Sequence, residues 1–125
     1  MSIRGRPSRW FEQAVRRGDL AGALGEASEL ARPLPSAHAL ALVVLLGDSG
    51  DARHGRWAAR WIGRAALERD SVTLTTVAEL TDLLQRAARG DDQARATLGA
   101  LAERHGAVGA NALLAIEPRR RGGGR

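Results

Sequence analysis

Three glycine–aspartate pairs constrain the fold of this chain more than any other feature of its sequence. They are Gly18-Asp19, Gly50-Asp51 and Gly90-Asp91. Each pair follows a segment with helical spacing of apolar residues and precedes another such segment. Glycine tolerates the left-handed backbone at a helix end, and an aspartate oxygen accepts hydrogen bonds from the free amides that begin the next helix. Each pair therefore predicts a corner between two helices.

The segments between these corners predict an all-α fold of six or seven short helices in antiparallel hairpins. Apolar residues recur every three or four positions within each segment. Ser36 is expected to cap the third helix, and Thr76 with Glu79 matches a capping box at the start of the fifth. Val72 to Leu74 alternates too briefly to require a strand, so no sheet is expected. The predicted helices cover residues 9–17, 20–31, 37–46, 52–69, 75–89, 92–105 and 110–117.

The third and fourth helices should form the centre of the fold. The third helix is apolar on nearly every side, which predicts burial all round. On the fourth helix Trp57, Trp61 and Ala65 share one side. A stripe of small residues lies roughly opposite, where we expect another backbone to approach closely. That small-residue stripe consists of Ala52, Gly55, Ala59, Gly63 and Ala66.

Hairpins that repeat about every 36 residues are typical of helical-repeat proteins. In this respect the chain resembles the broad class of tetratricopeptide- and HEAT-like hairpin stacks over about residues 9–105, although the consensus positions of the tetratricopeptide repeat are not met. The resemblance implies an open stack of hairpins. A compact orthogonal bundle would give the same sequence pattern, so both arrangements stay open.

The chain length and the distribution of charge predict one domain with two basic ends. The 125 residues carry a net charge of +5, and all nineteen basic residues are arginine. The interval 10–117 holds twelve arginines and all fourteen acidic residues, which gives it a net charge of −2. We therefore expect a disordered basic arm at 1–8, a helical domain at 9–117 and a flexible Arg/Gly tail at 118–125.

Several classes of protein are excluded or disfavoured by composition. Because cysteine is absent, thiolate catalysis, cysteine-based zinc sites and redox switching are excluded. The longest apolar run, residues 37–46, is far shorter than the roughly 20 residues of a membrane helix. The first residues lack the apolar core of a signal peptide. We therefore expect a cytoplasmic protein without a membrane partner.

The candidate contact residues are arginines. We name the arginines of the fourth helix the arginine ridge, and they could bind phosphates or an acidic protein surface. The alternative is a solvated stripe, partly paired with Asp48, Asp51 and Glu68. The tail arginines could bind nucleic acid without sequence specificity, or belong to a plain disordered terminus. The candidates are Arg53, Arg56, Arg60 and Arg64 in the ridge, and Arg119, Arg120 and Arg121 in the tail.

Neither a metal site nor a catalytic site is expected. His38, His54 and His105 fall on three predicted helices without a ligand partner at helical spacing. His54 and His105 lie near apolar faces, which favours packing or capping, and a spatial cluster of all three histidines is the alternative. No nucleophile elbow, phosphate loop, dinucleotide-binding glycine motif or zinc-protease motif is present. No cofactor follows from the sequence.

The sequence therefore favours a noncatalytic helical adaptor that binds another protein or itself. Tryptophan and arginine are enriched at the hot spots of protein interfaces. The alternative is an accessory protein that binds nucleic acid through the arginine ridge and the basic ends. An enzyme with dispersed catalytic residues is the third class.

Overall fold

The computed structural model describes residues 7–30 and 33–115. They form seven helices packed against each other, and no strand occurs within this part of the chain. The predicted all-α fold class is thus confirmed. The helices are α1 (Pro7–Arg16), α2 (Leu20–Ala27), α3 (Ser36–Asp48), α4 (His54–Glu68), α5 (Leu74–Ala88), α6 (Asp92–Arg104) and α7 (Ala110–Leu113).

All three predicted corners are present, each with a left-handed glycine. Gly18, Gly50 and Gly90 have φ angles of 71°, 66° and 90°. The side chain of Asp19 accepts a hydrogen bond from the Gly22 amide, and Asp91 caps α6 in the same way. The second corner differs because its aspartate binds an arginine beside the corner, and α4 begins only at His54. The corners therefore produce three hairpins: α1 with α2, α3 with α4, and α5 with α6.

Helix α3 lies at the centre of the fold, as its apolar composition predicts. Eight of its residues are buried, including the unbroken run from Leu40 to Leu46. It packs against α1, α2, α4, α5 and α7. Helices α1 and α7 also contact each other, which would not occur in an open stack. The packing is therefore that of a closed bundle around one apolar helix.

The helices around α3 form an incomplete ring. Neighbouring contacts run from α2 through α1, α7, α6 and α5 to α4. Among the described residues, α2 and α4 make no extensive contact with each other. The ring is open between these two helices, and Leu34, which lies shortly before α3, borders the same groove as α4.

The interpretation of α4 as a helix buried on two sides is wrong. All five members of the small-residue stripe are exposed, and a β-carbon added to Gly55 or Gly63 would meet nothing within 4 Å. The close approach occurs at Gly47 of α3 instead. A β-carbon there would lie 3.0 Å from both the Ala88 β-carbon and the His54 ring. Small residues mark a close contact only where a neighbouring helix exists, and no described helix packs against that side of α4.

The prediction that Ser36 caps α3 is also wrong. Helix α3 begins at Ser36 itself, after Pro35, and has no side-chain cap. The Trp61 indole Nε1 lies 3.1 Å from the Ser36 carbonyl oxygen and 3.2 Å from its hydroxyl oxygen. The indole N–H donates to both, so the polar atom of a buried tryptophan is satisfied. Ser36 thus connects the start of α3 to the middle of α4.

The capping box of α5 lies three residues before its predicted position. Thr73 is the cap, and its hydroxyl accepts from the Thr76 amide. The Thr76 hydroxyl in turn accepts from the Thr73 amide, so the reciprocal pattern is complete. Thr76 is buried, and Glu79 is not part of the box.

One arginine connects three distant segments. The Arg95 guanidinium of α6 lies 2.7 Å from an Asp48 carboxylate oxygen at the end of α3. Its Nε also donates to the Leu114 carbonyl oxygen, at 3.0 Å. The Arg95 side chain is only 14% exposed, so this ion pair lies in a less hydrated setting than the other arginine pairs.

We expect Trp61→Ala to lower the free energy of unfolding by about 3–5 kcal/mol, because it removes a large side chain that is only 4% exposed. Trp10→Ala is the matched control, since Trp10 is 51% exposed and should cost less than about 1.5 kcal/mol. Urea unfolding followed by circular dichroism measures both. Equal losses in the two variants would contradict the burial described for Trp61.

Candidate functional site

The surface of the bundle carries one groove that the arginine ridge borders. The groove has a volume of about 300 Å³ and lies between α3, α4 and the segment that leads into α3. That volume is at the lower end of the range of ligand pockets, which suits a few side chains better than a large ligand. The groove is lined by Leu34, Ala39, Leu42, Val43, Trp57, Arg60, Trp61 and Arg64.

Two tryptophans one turn apart form the α4 side of the groove in different ways. Trp61 is buried, and its indole is fixed by the hydrogen bonds to Ser36. Trp57 is only half-buried and packs against the edge of the core. The guanidinium carbon of Arg53 lies 5.9 Å from the centre of the Trp57 ring, within the range of a cation–π contact. Trp57 therefore offers apolar surface that the described residues leave accessible.

The two ends of the arginine ridge are paired with carboxylates close in sequence. Arg53 donates to both oxygens of Asp51, at 2.9 and 2.8 Å. These hydrogen bonds lower the pKa of Asp51 to about 2. Arg64 donates from Nε to Glu68 at 3.0 Å, one helical turn away. The predicted pairing with Asp51 and Glu68 is present, whereas the predicted pairing with Asp48 is wrong because Asp48 binds Arg95.

The middle of the ridge carries charge that the described residues do not neutralise. Arg56 and Arg60 are exposed and have no hydrogen bond or ion pair within the described ranges. Arg60 also lines the groove, and Arg56 lies one turn before it. The structure thus brings the ridge and the apolar groove together on one side of α4.

The half of the groove that lies outside α4 was not predicted from the sequence. Leu34 stands between Pro33 and Pro35, in the segment between the second and third predicted helices. Ala39 lies on α3, where every side was expected to be covered. An isolated leucine between two prolines was the available signal, because the prolines restrict the backbone on either side of it.

The tail candidates Arg119, Arg120 and Arg121 lie outside the described residues, as does the N-terminal arm before Pro7. No structural statement follows for them, and the predicted division into arm, domain and tail stays a prediction. In the described part of the chain, no helix combines the length and the apolar character needed to cross a bilayer.

The three histidines each have a separate structural setting. Nδ1 of His54 lies 2.9 Å from the Val43 carbonyl oxygen and therefore donates to it. His105 ends α6, and its Nδ1 lies 2.8 Å from the Ser71 hydroxyl oxygen. His38 packs on the Phe11 ring, with centroids 5.0 Å apart. Among the described residues, no group of three or more candidate ligands is arranged to hold a metal ion.

Comparison with known proteins adds no functional assignment. The chain matches no protein-family model, and neither the curated proteins nor the solved structures yielded a match. The function is therefore inferred from the geometry and chemistry of the groove.

We expect stability to fall as the pH is lowered from about 7 to 5.5, because of His38. Burial lowers the pKa of His38, although Glu12, 3.7 Å from its Nε2, partly opposes this. A histidine with a lowered folded-state pKa takes up its proton more readily in the unfolded chain. Stability is therefore full above the ordinary pKa near 6.5 and declines below it, by at most about 1.4 kcal/mol per pH unit.

Urea unfolding at several pH values measures this decline. His38→Gln should flatten it between pH 7 and 5.5, whatever the absolute stability of that variant. His105→Gln retains His38 and should keep the decline. An unchanged slope in His38→Gln would contradict the explanation.

Proposed function

We propose that this protein is a noncatalytic helical adaptor that binds a segment of another protein in the groove between α3 and α4. The main support for this proposal is the apolar lining of the groove, which is open to solvent. Half-buried Trp57 forms this lining together with Leu34 and Ala39. Burying such a surface is the main source of affinity at protein interfaces.

The composition of the groove supports this proposal. Tryptophan and arginine are the residue types most enriched at interface hot spots, and the groove contains two of each. Trp61 is held by Ser36, so one wall of the groove is rigid before a partner arrives. A preorganised wall lowers the entropy cost of binding.

Catalysis is not part of the proposal. The ionisable side chains that line the groove are Arg60 and Arg64. Two arginines can bind an anionic group, but they do not form the pair of proton donor and acceptor that general acid–base catalysis uses. The proposal retains the cytoplasmic location expected from the sequence, which fractionation of host cells would test directly.

Nucleic-acid binding is the second candidate, and one observation favours it. Arg56 and Arg60 are exposed on successive turns without partners among the described residues, as phosphate contacts would require. The apolar groove beside them has no role in a phosphate contact. For this reason the adaptor accounts for more of the site.

The adaptor function is tested by selecting ligands from a displayed library of random peptides of about 16 residues. Selected peptides should bind the purified protein and lose about tenfold or more in affinity with Ala39→Gln. This change places an uncompensated amide in the apolar lining, at a cost of about 1–3 kcal/mol. Fluorescence anisotropy of labelled peptides gives the dissociation constants.

Ala66→Gln is the matched control, because it makes the same change on the exposed back of α4. It should leave affinity within about twofold. A groove ligand should lose affinity with Ala39→Gln and keep it with Ala66→Gln. If the library yields no peptide that behaves in this way, the adaptor function of this groove is refuted.

A further inference from the structure

Among the described residues that line the groove, all of the charge lies on the α4 side. Helix α4 contains three arginines and one glutamate, Glu68, which pairs with Arg64. The opposite side is formed by Leu34, Ala39 and Leu42, which carry no charge. A ligand that fits must therefore be apolar where it enters the groove and negative where it faces α4.

The spacing of the arginines indicates the conformation of that ligand. Arg56, Arg60 and Arg64 recur every four residues, about 6 Å apart along the axis of α4 and about 12 Å in total. A second helix lying alongside presents side chains on one face at nearly the same interval of three or four residues. A polyproline helix repeats only every 9 Å or so and does not match.

An extended strand is also disfavoured as the ligand. Strand addition requires an exposed sheet edge with unpaired backbone amides and carbonyls. The groove is bordered by α3 and α4, whose backbone groups are hydrogen-bonded within the helices. Binding must therefore use side chains, as when an amphipathic helix lies in a groove.

We propose that the partner segment is an acidic amphipathic helix. Its apolar residues enter between Leu34 and Trp57, and its carboxylates face Arg56, Arg60 and Arg64 across about two helical turns. This inference rests on the proposed adaptor function and adds the chemistry of the partner. The two unpaired arginines, Arg56 and Arg60, supply the attraction without first breaking an ion pair among the described residues.

The experiment uses the full chain and three synthetic peptides of about 16 residues. The first has leucines at helical spacing flanked by glutamates, the second has glutamine in place of every glutamate, and the third has lysine there. Fluorescence anisotropy at low salt should show the glutamate peptide binding about tenfold more tightly than the glutamine peptide. The lysine peptide should bind weakest. Affinity for the glutamate peptide should fall as salt is raised.

Two charge reversals locate the interaction. Arg60→Glu should lower the affinity for the glutamate peptide by about tenfold and raise the affinity for the lysine peptide. Arg16→Glu is the matched control, since Arg16 is an exposed arginine on α1 without a partner among the described residues. It should change both affinities by less than about twofold. Circular dichroism of both variants checks that the fold is intact.

The outcomes separate the inference from the adaptor function. If the glutamate and glutamine peptides bind equally well, and both lose affinity with Ala39→Gln, the adaptor function stands and the acidic partner is wrong. If the dissociation constant of the glutamate peptide is above about 1 mM, which corresponds to a binding free energy of only about 4 kcal/mol, the inference is overturned. The library result then decides the adaptor function separately.

Two further results would assign the site to another ligand. Duplex DNA could bind more tightly than the glutamate peptide, with an affinity that depends on Arg60 but not on Ala39. That result would identify nucleic acid as the partner. A dimer that requires Arg60 and excludes the peptide would identify a second copy of this chain. Each result overturns the acidic helix as the occupant.

Discussion

The burial of α3 from all directions is the constraint on which the rest of the structure depends. This helix has no polar face, so each exposed side would leave apolar surface in water. A row of stacked hairpins covers a helix on two or three sides, whereas α3 needs cover from five neighbouring helices. The contact between α1 and α7 follows from the same requirement, since the first and last described helices must meet to close the bundle. The groove is where that closure is incomplete.

The parts of the fold that local chemistry decides could be predicted from the sequence. Gly18, Gly50 and Gly90 form the corners because a left-handed residue at a helix end is a local requirement. Ser36 shows where local rules fail. It has the chemistry of a cap, but the Trp61 indole, 25 positions away, occupies its oxygens. A helix wheel likewise identifies a small-residue stripe without showing whether any helix packs there.

The candidate site likewise has features that local sequence predicts and features that depend on tertiary contacts. Exposure of the ridge follows from the position of its arginines on α4, and the Arg64–Glu68 pair follows from their spacing of one turn. The partner of Asp48 could not be predicted, because Arg95 lies 47 positions away in the sequence. To predict the groove, one must know how α3 lies against α4 and where Leu34 is placed. Such relations are tertiary, and no window of sequence contains them.

The difference between the two groove tryptophans connects stability with the proposed function. Trp57 and Trp61 lie one turn apart on the same side of α4, so the helical spacing alone does not distinguish them. Trp61 is covered by the bundle and its indole is hydrogen-bonded, so it stabilises the fold. Trp57 remains partly in water, with the Arg53 guanidinium beside its ring. A half-buried indole contributes less to folding than a fully buried one, yet it retains apolar area that binding can remove from water. Trp57 thus gives the proposed adaptor a source of affinity that Trp61, already used by the core, does not have.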